Sequence, residues 1–393
     1  MNNNIPTGYK PSPLGLIPED WEVKRLGEVC TFHNGRAYSQ KELLNQGKYR
    51  VLRVGNFFTN NSWYYSDLEL EDDKYANNGD LLYAWSASFG PRFWKGEKVI
   101  YHYHIWKIDS FINISNSYLY SFLFFDASKL TNTLQGGTMV HVTKENMENR
   151  WIPVPPLPEQ HRIVSVLSLW DTAIAKQTAL IEKLTLRKRG LMQQLLTGKK
   201  RLEGFEGGSF NRLGNYISEC NRRNAGCNRV LSVTNTRGFI LQEEQFDKIV
   251  ASNDTSNYKV VRRGEFAYNP SRVNVGSLAM LKEYDEGILS PMYIVFKANE
   301  NIDKTYLLQC LQSWWFRGHI PAYTQGSVRD SLSFDGLCSM KFYIPTLQEQ
   351  KAISAILERA DKEIEIQKQK LTTMQEQKKG LMQVLLSGKK RIK

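Results

Sequence analysis

The sequence has few cysteines and no long apolar run, and these two features exclude several classes of protein. Its five cysteines are odd in number and scattered over 393 residues (Cys30, Cys220, Cys227, Cys310 and Cys338). No two of them form a C-x-x-C pair, and no histidine lies at a zinc-site spacing from any of them. We therefore expect neither a disulfide framework nor a structural metal. No window approaches the roughly 18 uncharged apolar residues of a membrane span, and the first residues lack the pattern of a secretory signal. We therefore expect a cytoplasmic protein with reduced thiols and no membrane partner.

The sequence also lacks the common catalytic motifs. It contains no G-x-x-x-x-G-K-[ST] phosphate loop, no H-E-x-x-H, no G-x-S-x-G and no G-x-G-x-x-G. Tyr268-Asn269-Pro270-Ser271 is similar to the N-P-P-Y loop of adenine methyltransferases, but the second proline, the stacking aromatic and a preceding glycine-rich turn are missing. His102 and His104 in YHYHIW have the alternating spacing of a strand, with no further ligand at a metal-site spacing. The chain is predicted to have no active site of its own.

An internal repeat with an offset of 190 residues organises the chain. GLMQQLLTGKKR at 190–201 recurs as GLMQVLLSGKKR at 380–391, and Pro155, Leu157, Glu159 and Gln160 recur at the same offset without a gap. The net charge of +12 is concentrated in these copies. Residues 159–201 include nine basic and three acidic residues, and residues 349–393 include eleven basic and six acidic residues. A basic excess of this kind indicates a polyanionic partner or a solvated basic surface.

Both copies carry a heptad pattern of apolar residues that predicts two long helices of about 38 residues, each roughly 57 Å long. Thr346 and Glu349 are spaced as a capping box, and Gly198 and Gly388 are typical helix-ending glycines. Each helix packs either on its own neighbouring globule or, as we favour, on the other helix. The predicted helix-pairing positions are Ile163, Leu167, Ile174, Gln177, Ile181, Leu184, Ile353, Leu357, Ile364, Gln367, Leu371 and Met374.

Gln177 and Gln367 occupy equivalent polar positions near the middle of the two predicted helices. If the helices are antiparallel and related by a pseudo-twofold axis, the two glutamines meet where the helices cross and help to fix the register.

The segments before the helices are faintly related as well. Leu26-Gly27, Gly79–Tyr83 and Trp106-Lys107 match Leu213-Gly214, Gly264–Tyr268 and Phe296-Lys297 in order and approximate spacing. Short runs of aromatic and β-branched residues separated by Asn, Gly and Asp predict strands and turns with a few helices. The predicted fold is α+β, with two globular α/β domains (1–154 and 202–344) joined by two long antiparallel coiled-coil helices (155–201 and 345–393).

This arrangement resembles the specificity (S) subunit of type I restriction–modification systems. The resemblance rests on helices that open with P-P-L-P-E-Q and P-T-L-Q-E-Q, on their L-L-[TS]-G-K-K-R ends, and on the start P-E-D-W-E-V-K-R-L-G at 18–27. It covers essentially the whole chain. One departure is that Pro156 and Pro158 of the first copy are replaced by Thr346 and Gln348 in the second, which changes the local path but not the plan.

The resemblance implies that each globule is a target recognition domain that reads one half of a bipartite site in double-stranded DNA. The helices would be a spacer and a platform for two methyltransferase (M) subunits, which restriction (R) subunits then join. The chain itself would be non-catalytic and would bind no cofactor, with S-adenosylmethionine, ATP and Mg on the partner subunits.

Equivalent polar loops of the two globules are the candidate DNA-reading segments, because Ser, Asn and Arg side chains suit base-edge and phosphate hydrogen bonds. The alternative for each residue is a solvated surface. We expect five aromatic residues to pack in the core or against helices rather than to stack on bases: Trp63, Tyr64, Tyr65, Trp314 and Trp315. The candidate DNA-binding residues are Arg36, Trp85, Ser86, Ser88, Arg92, Thr138, His141, Lys144, Arg222, Arg223, Asn269, Ser271, Arg272, Asn274, Ser327 and Arg329.

Two other functions remain open from the residues alone. The first is a self-sufficient methyltransferase or nuclease, against which the missing motifs argue. The second is a coiled-coil scaffold with two globules that bind ligands other than DNA.

Overall fold

The protein is described from a computed structural model. The structure describes residues 5–58, 60–86, 89–133, 142–245, 254–324 and 331–392. The chain divides into two compact units, unit 1 with residues 1–176 and 370–393, and unit 2 with residues 177–369. Within the described ranges, no helix is both long enough and apolar enough to span a membrane.

Unit 1 contains twelve strands in its described residues, four short or medium helices, the first part of the long helix α5 and the last part of the long helix α10. The helices are α1 (Leu26–Val29), α2 (Val54–Phe58), α3 (Asn116–Thr133), α4 (Lys144–Glu148), α5 (Leu157–Leu195) and α10 (Leu347–Leu386). The strands are β1 (Tyr9–Ser12), β2 (Gly15–Pro18), β3 (Glu22–Arg25), β4 (Thr31–Asn34), β5 (Tyr49–Leu52), β6 (Tyr64–Ser66), β7 (Tyr75–Ala76), β8 (Leu81–Ala84), β9 (Gly90–Phe93), β10 (Val99–Tyr101), β11 (Ile105–Asp109) and β12 (Trp151–Val154).

Unit 2 repeats this plan with its own strands and short helices. The strands are β13 (Ser209–Arg212), β14 (Ile217–Glu219), β15 (Leu231–Thr234), β16 (Gly238–Leu241), β17 (Lys259–Arg262), β18 (Phe266–Tyr268), β19 (Leu278–Met280), β20 (Glu286–Leu289), β21 (Ile294–Ala298) and β22 (Lys341–Ile344). The helices are α6 (Gln242–Gln245), α7 (Lys304–Gln312), α8 (Trp314–His319) and α9 (Phe334–Ser339), with the remaining parts of α5 and α10.

The central sheets of the two units have matching strand orders. The order is β4-β11-β8-β9 in unit 1 and β14-β21-β18-β19 in unit 2, and a two-stranded pair, β12-β3 or β13-β22, leads into each long helix. The faintly repeated segments of the sequence occupy equivalent strands, since 79–83 leads into β8 and 264–268 leads into β18. The two globules therefore share one central sheet order, whereas their remaining sheets differ: unit 1 has the four-stranded sheet β6-β5-β10-β7, and unit 2 has the two-stranded sheets β15-β16 and β17-β20.

Each unit buries parts of both long helices in one hydrophobic core. In unit 1, Ile163 and Leu167 of α5 share a core with Leu385 of α10, and in unit 2 Ile353 and Leu357 of α10 share a core with Leu195 of α5. The other seam positions are less enclosed: Ile364 and Gln177 are buried, whereas Ile174, Ile181, Leu184, Gln367, Leu371 and Met374 are half-buried. Burial of these apolar faces stabilises the helices more than their intrinsic propensity does.

The helices pair in antiparallel fashion inside each unit. In unit 2, Gln177 Nε2 donates to Gln367 Oε1 at 2.8 Å and to the Gln367 carbonyl at 3.0 Å, so the two glutamines meet as the register of the repeat predicts. Further along, Lys188 contacts Asp361 at 2.5 Å. In unit 1, Lys378 contacts Asp171, which is the same pair at the repeat offset.

The E-Q and K-K-R motifs join the start of one helix to the end of the other. In unit 1, Arg391 donates to Glu159 Oε1 at 3.2 Å and to Oε2 at 2.6 Å, and Trp21 Nε1 donates to Glu159 at 3.0 Å. In unit 2, Arg201 Nε donates to Glu349 at 2.9 Å. Only one of the two hydrogen bonds of the predicted capping box is present. The Thr346 hydroxyl accepts from the Glu349 amide at 3.4 Å, but the Glu349 carboxylate binds Arg201 rather than the Thr346 amide.

The glutamine of each E-Q motif connects the helix to its globule. Gln160 accepts from the Ser115 amide at 2.8 Å and donates to the Asn113 carbonyl at 3.0 Å. Gln350 accepts from the Asp303 amide at 2.7 Å. Because both glutamines are buried, these bonds fix the direction in which each helix leaves its globule.

The repeated glycines after the helices are required by close packing. Gly198 and Gly388 have φ of 69° and 72°, a left-handed conformation that favours glycine. A Cβ at Gly198 would lie 2.7 Å from the Tyr343 ring, and one at Gly388 would lie 2.5 Å from Pro18 Cδ.

The interpretation of YHYHIW as one continuous strand is wrong. β10 ends at Tyr101 and β11 begins at Ile105, so His102 and His104 lie in the turn between them. The described residues contain no group of three or more His, Cys, Asp or Glu side chains arranged to hold a metal ion.

Candidate nucleic-acid interface

The loop from Asn269 to Ser277, between β18 and β19 of unit 2, is a compact polar turn, which we call loop 269–277. Its backbone is tied together by Asn269 N–H to the Ser277 carbonyl at 3.1 Å and Arg272 N–H to the Asn269 carbonyl at 3.0 Å. The Asn269 side chain accepts from the Ser271 amide at 3.0 Å, and Gly276 turns the chain with a φ of 98°. Ser271, Arg272 and Asn274 are exposed on this turn. The loop is thus a preformed support for three exposed polar side chains.

Loop 269–277 is also bonded to Leu332, which lies more than 50 residues later in the sequence. Leu332 N–H donates to the Pro270 carbonyl at 3.1 Å, and the hydroxyl of the buried Tyr268 donates to the Leu332 carbonyl at 3.2 Å. Burial raises the pKa of this phenol, so it stays a neutral donor. These two bonds hold Leu332 against loop 269–277.

The equivalent turn of unit 1 lies between β8 and β9 and begins with an aromatic stack. Trp85 stacks on Trp106 with ring centroids 5.7 Å apart, and Trp106 stacks on Tyr83 at 5.9 Å. Trp85 Nε1 donates to the Tyr103 carbonyl at 2.8 Å, which fixes the indole. Because Trp85 stands where unit 2 has Pro270, the two equivalent turns offer different chemistry on the same frame.

His102 lies next to the Tyr103 ring, with ring centroids 4.4 Å apart, and is held neutral. Burial, together with the neighbouring His104 and Arg53, lowers the pKa of its imidazole to about 4. At neutral pH it therefore offers a hydrogen-bonding ring without a positive charge.

Three of the predicted arginines after the first strands are already bonded within the protein. Arg36 Nη2 donates to Glu42 at 2.6 Å, Arg222 pairs with the buried Glu265, and Arg223 Nη1 donates to the Asn257 carbonyl at 2.5 Å. Two buried nitrogen atoms of these half-buried side chains, Arg36 Nη1 and Arg222 Nε, have no hydrogen-bond partner in the described residues.

The remaining candidates divide by exposure. Arg92 is exposed but lies on β9, where its guanidinium is 5.0 Å from the centre of the Phe58 ring, and Lys144 is half-buried on α4 at 3.5 Å from Glu148. The proposed role of Ser86 needs correction, because its side chain is 5% exposed and presents no surface to a ligand. The candidates outside the described residues are Ser88, Thr138, His141, Ser327 and Arg329.

No sequence pattern indicates which large apolar side chain is the most exposed among the described residues. Trp314 is 84% exposed, so the expectation that it packs in the core is wrong. Trp315 does pack, at 5.2 Å from the Phe342 ring, and Trp63 lies 6.3 Å from Trp94. Adjacent tryptophans in one helix face different sides, and only tertiary packing decides which one is buried.

Comparisons with known proteins agree with this architecture. The family model described as type I restriction modification DNA specificity domain matches residues 18–186 and 241–376. The MjaVIII specificity subunit of a type I restriction enzyme from Methanocaldococcus jannaschii is 26% identical, with 96% of this chain and 94% of the relative covered. A second protein of that organism, described as a putative type I restriction enzyme MjaX specificity subunit, is 24% identical over 98% and 97%.

Solved structures share the fold. The type I restriction–modification S subunit of M. genitalium has a TM-score of 0.53 at 14% identity, with 98% of this chain and 97% of that chain covered. A chain from a study of complex assembly and conformational transition of the type I R-M system has a TM-score of 0.60 at 16% identity, with 95% and 99% covered. The chain therefore belongs to the family of DNA specificity subunits of type I restriction–modification systems.

Proposed function

We propose that the chain recognises a split DNA target, with residues 1–154 and 202–344 each reading one half of it. The observation that carries this proposal is the pair of equivalent turns. Each turn follows the same strand of a sheet with the same strand order, but unit 1 has Trp85 there and unit 2 has Arg272 and Asn274. Equivalent frames with different side chains suit two readers of unlike sequences. The long helices, at 155–201 and 345–393, set the gap between the half-sites and dock two methyltransferase subunits.

The chain contributes recognition and its partners contribute the chemistry. S-adenosylmethionine belongs to the methyltransferase subunits, and ATP and Mg belong to the assembled restriction complex. This division is supported by the missing catalytic motifs and by the charged pairs repeated in the two units, such as Arg391 with Glu159, which join helices rather than form a site. A complex of this kind acts on DNA in the cytoplasm.

Methylation mapping tests the two-reader proposal. We expect cells that express the chain with its methyltransferase to modify a motif of two short halves around a fixed gap, which is absent with the methyltransferase alone. The double variant Arg272→Ala with Asn274→Ala removes exposed donors from unit 2, so it should weaken recognition of one half by about tenfold, as a lost base contact does. Trp85→Ala should alter the other half.

A variant outside both turns and both long helices provides the matched control. Arg212 is exposed on β13, and Arg212→Gln should leave both halves of the motif unchanged. A stable complex that methylates no motif, or only an unsplit one, would contradict the proposal and favour the scaffold alternative.

A further inference from the structure

We propose that helix α8 is a second DNA-contacting element of unit 2, through the side chains of Trp314 and Arg317, which we call the α8 face. The proposal rests on the proposed function of the chain as a DNA reader. It adds two residues that lie outside every segment predicted to bind DNA.

The helix that carries the α8 face is firmly anchored. The Ser313 hydroxyl accepts from the Phe316 amide at 3.1 Å and donates to the Cys310 carbonyl at 2.6 Å, which caps the first turn. Phe316 is 1% exposed in the core of unit 2, and Trp315 packs on Phe342. Trp314 is therefore an exposed indole on a fixed helix rather than part of a frayed chain end.

Trp314 and Arg317 share one side of the helix. Residues three apart lie next to each other on a helical surface, and both side chains are exposed. A buried tryptophan contributes a large apolar area, so an indole left 84% exposed is available to a partner.

The α8 face adjoins loop 269–277. A Cβ built on Gly276 would lie 3.4 Å from Arg317 Nη2, so the guanidinium covers the glycine of that turn. The same Cβ would lie 3.4 Å from Asn235 Cβ, which brings the turn between β15 and β16 to the same place. Three elements distant in sequence thus meet around Gly276.

The chemistry of this surface fits DNA. Among the residues that the structure describes, neither Arg272 nor Arg317 has a carboxylate or hydrogen-bond partner for its guanidinium. Two exposed guanidinium groups beside exposed Ser271 and Asn274 are complementary to phosphate oxygens and base edges. An indole next to them has the apolar surface that sugars, bases and opened base steps contact.

Two variants of the assembled complex test the α8 face. The probes are a duplex that carries the mapped split motif and a second duplex in which the half read by unit 2 is scrambled. Trp314→Ala should weaken binding to the first duplex by about tenfold, with little effect on the second. Arg317→Gln should weaken binding and reduce the slope of log affinity against log salt by about one, as the loss of one phosphate contact does.

Matched controls come from β13, where Phe210 is 58% exposed and Arg212 is exposed two residues later. Phe210→Ala and Arg212→Gln should change neither the affinity nor the salt slope. Thermal unfolding midpoints equal to that of the wild type would show that the substitutions leave the fold of the chain intact.

The outcomes separate the α8 face from the proposed function. Wild-type affinity and salt slope in both variants would overturn the α8 proposal while the split motif still stands. Variants that assemble poorly with the partner subunits, but whose assembled fraction binds DNA with wild-type affinity, would assign the α8 face to a protein partner. That result would also overturn the α8 proposal. Absence of any split motif would instead overturn the proposed function.

Discussion

Arg391→Met should destabilise unit 1 by about 3–5 kcal/mol, because it leaves a buried carboxylate without its cation. The side chain of Glu159 is 3% exposed, and in the variant only two uncharged donors remain, the Trp21 indole and the Ile392 backbone amide. Chemical denaturation of the purified chain, followed by the fluorescence of Trp21 and its neighbours, measures the loss. Lys389→Met, which removes an exposed cation two residues earlier, should change the free energy of unfolding very little.

The pH dependence of this loss distinguishes a buried charge from lost packing. In the wild type, burial raises the pKa of Glu159, but the hydrogen bonds from Arg391 and Trp21 lower it more, so the folded pKa lies below the ordinary value. Its stabilising contribution is therefore present above about pH 4.5 and is lost as the pH falls through the folded pKa. In Arg391→Met the lowering effect of the guanidinium is lost while burial still raises the pKa of Glu159, so protonation of this carboxylate relieves the variant. The difference between the two proteins should shrink on acidification, and a difference that is independent of pH would contradict this account.

The long helices were predictable because their apolar residues recur at heptad spacing and because the same pattern occurs twice in the sequence. Apolar residues at heptad spacing predict about 38 residues for each helix, and α5 and α10 have 39 and 40. The contact between Gln177 and Gln367 follows from the same register, since it needs only the repeat offset and an antiparallel pairing. Patterns of this kind specify burial without requiring knowledge of distant partners.

The uses of individual charged and aromatic side chains were not predictable. A capping box is a local pattern, yet the carboxylate of Glu349 binds Arg201, which lies 148 residues away in sequence. In the same way, Ser86 is buried and Trp314 is exposed because of packing by strands and helices that no local window contains. The sequence therefore predicts which loops are candidate DNA-reading segments, but the direction in which each side chain points follows only from the tertiary structure.

Leu357→Ala should destabilise unit 2 by about 2–5 kcal/mol and leave unit 1 unchanged, because each unit has its own core. Leu357 is 0% exposed among the core residues of unit 2, and Leu167, its copy at the repeat offset, is 2% exposed in unit 1. Alanine keeps the helix propensity high, so the loss reports packing rather than backbone preference. Hydrogen exchange resolved by peptide gives the free energy of opening for each segment.

The long helices provide the sharpest readout of this prediction, because each of them contributes to both units. In Leu357→Ala, amides of 177–195 in α5 should lose protection with unit 2, whereas amides of 157–176 in the same helix keep it. Leu167→Ala should give the reverse pattern. Helices of this length depend on tertiary packing for stability, so each half follows the core on which it packs. Equal loss of protection along the whole of α5 in both variants would instead mean that the chain unfolds as one cooperative unit, with the helices transmitting the loss between the two cores.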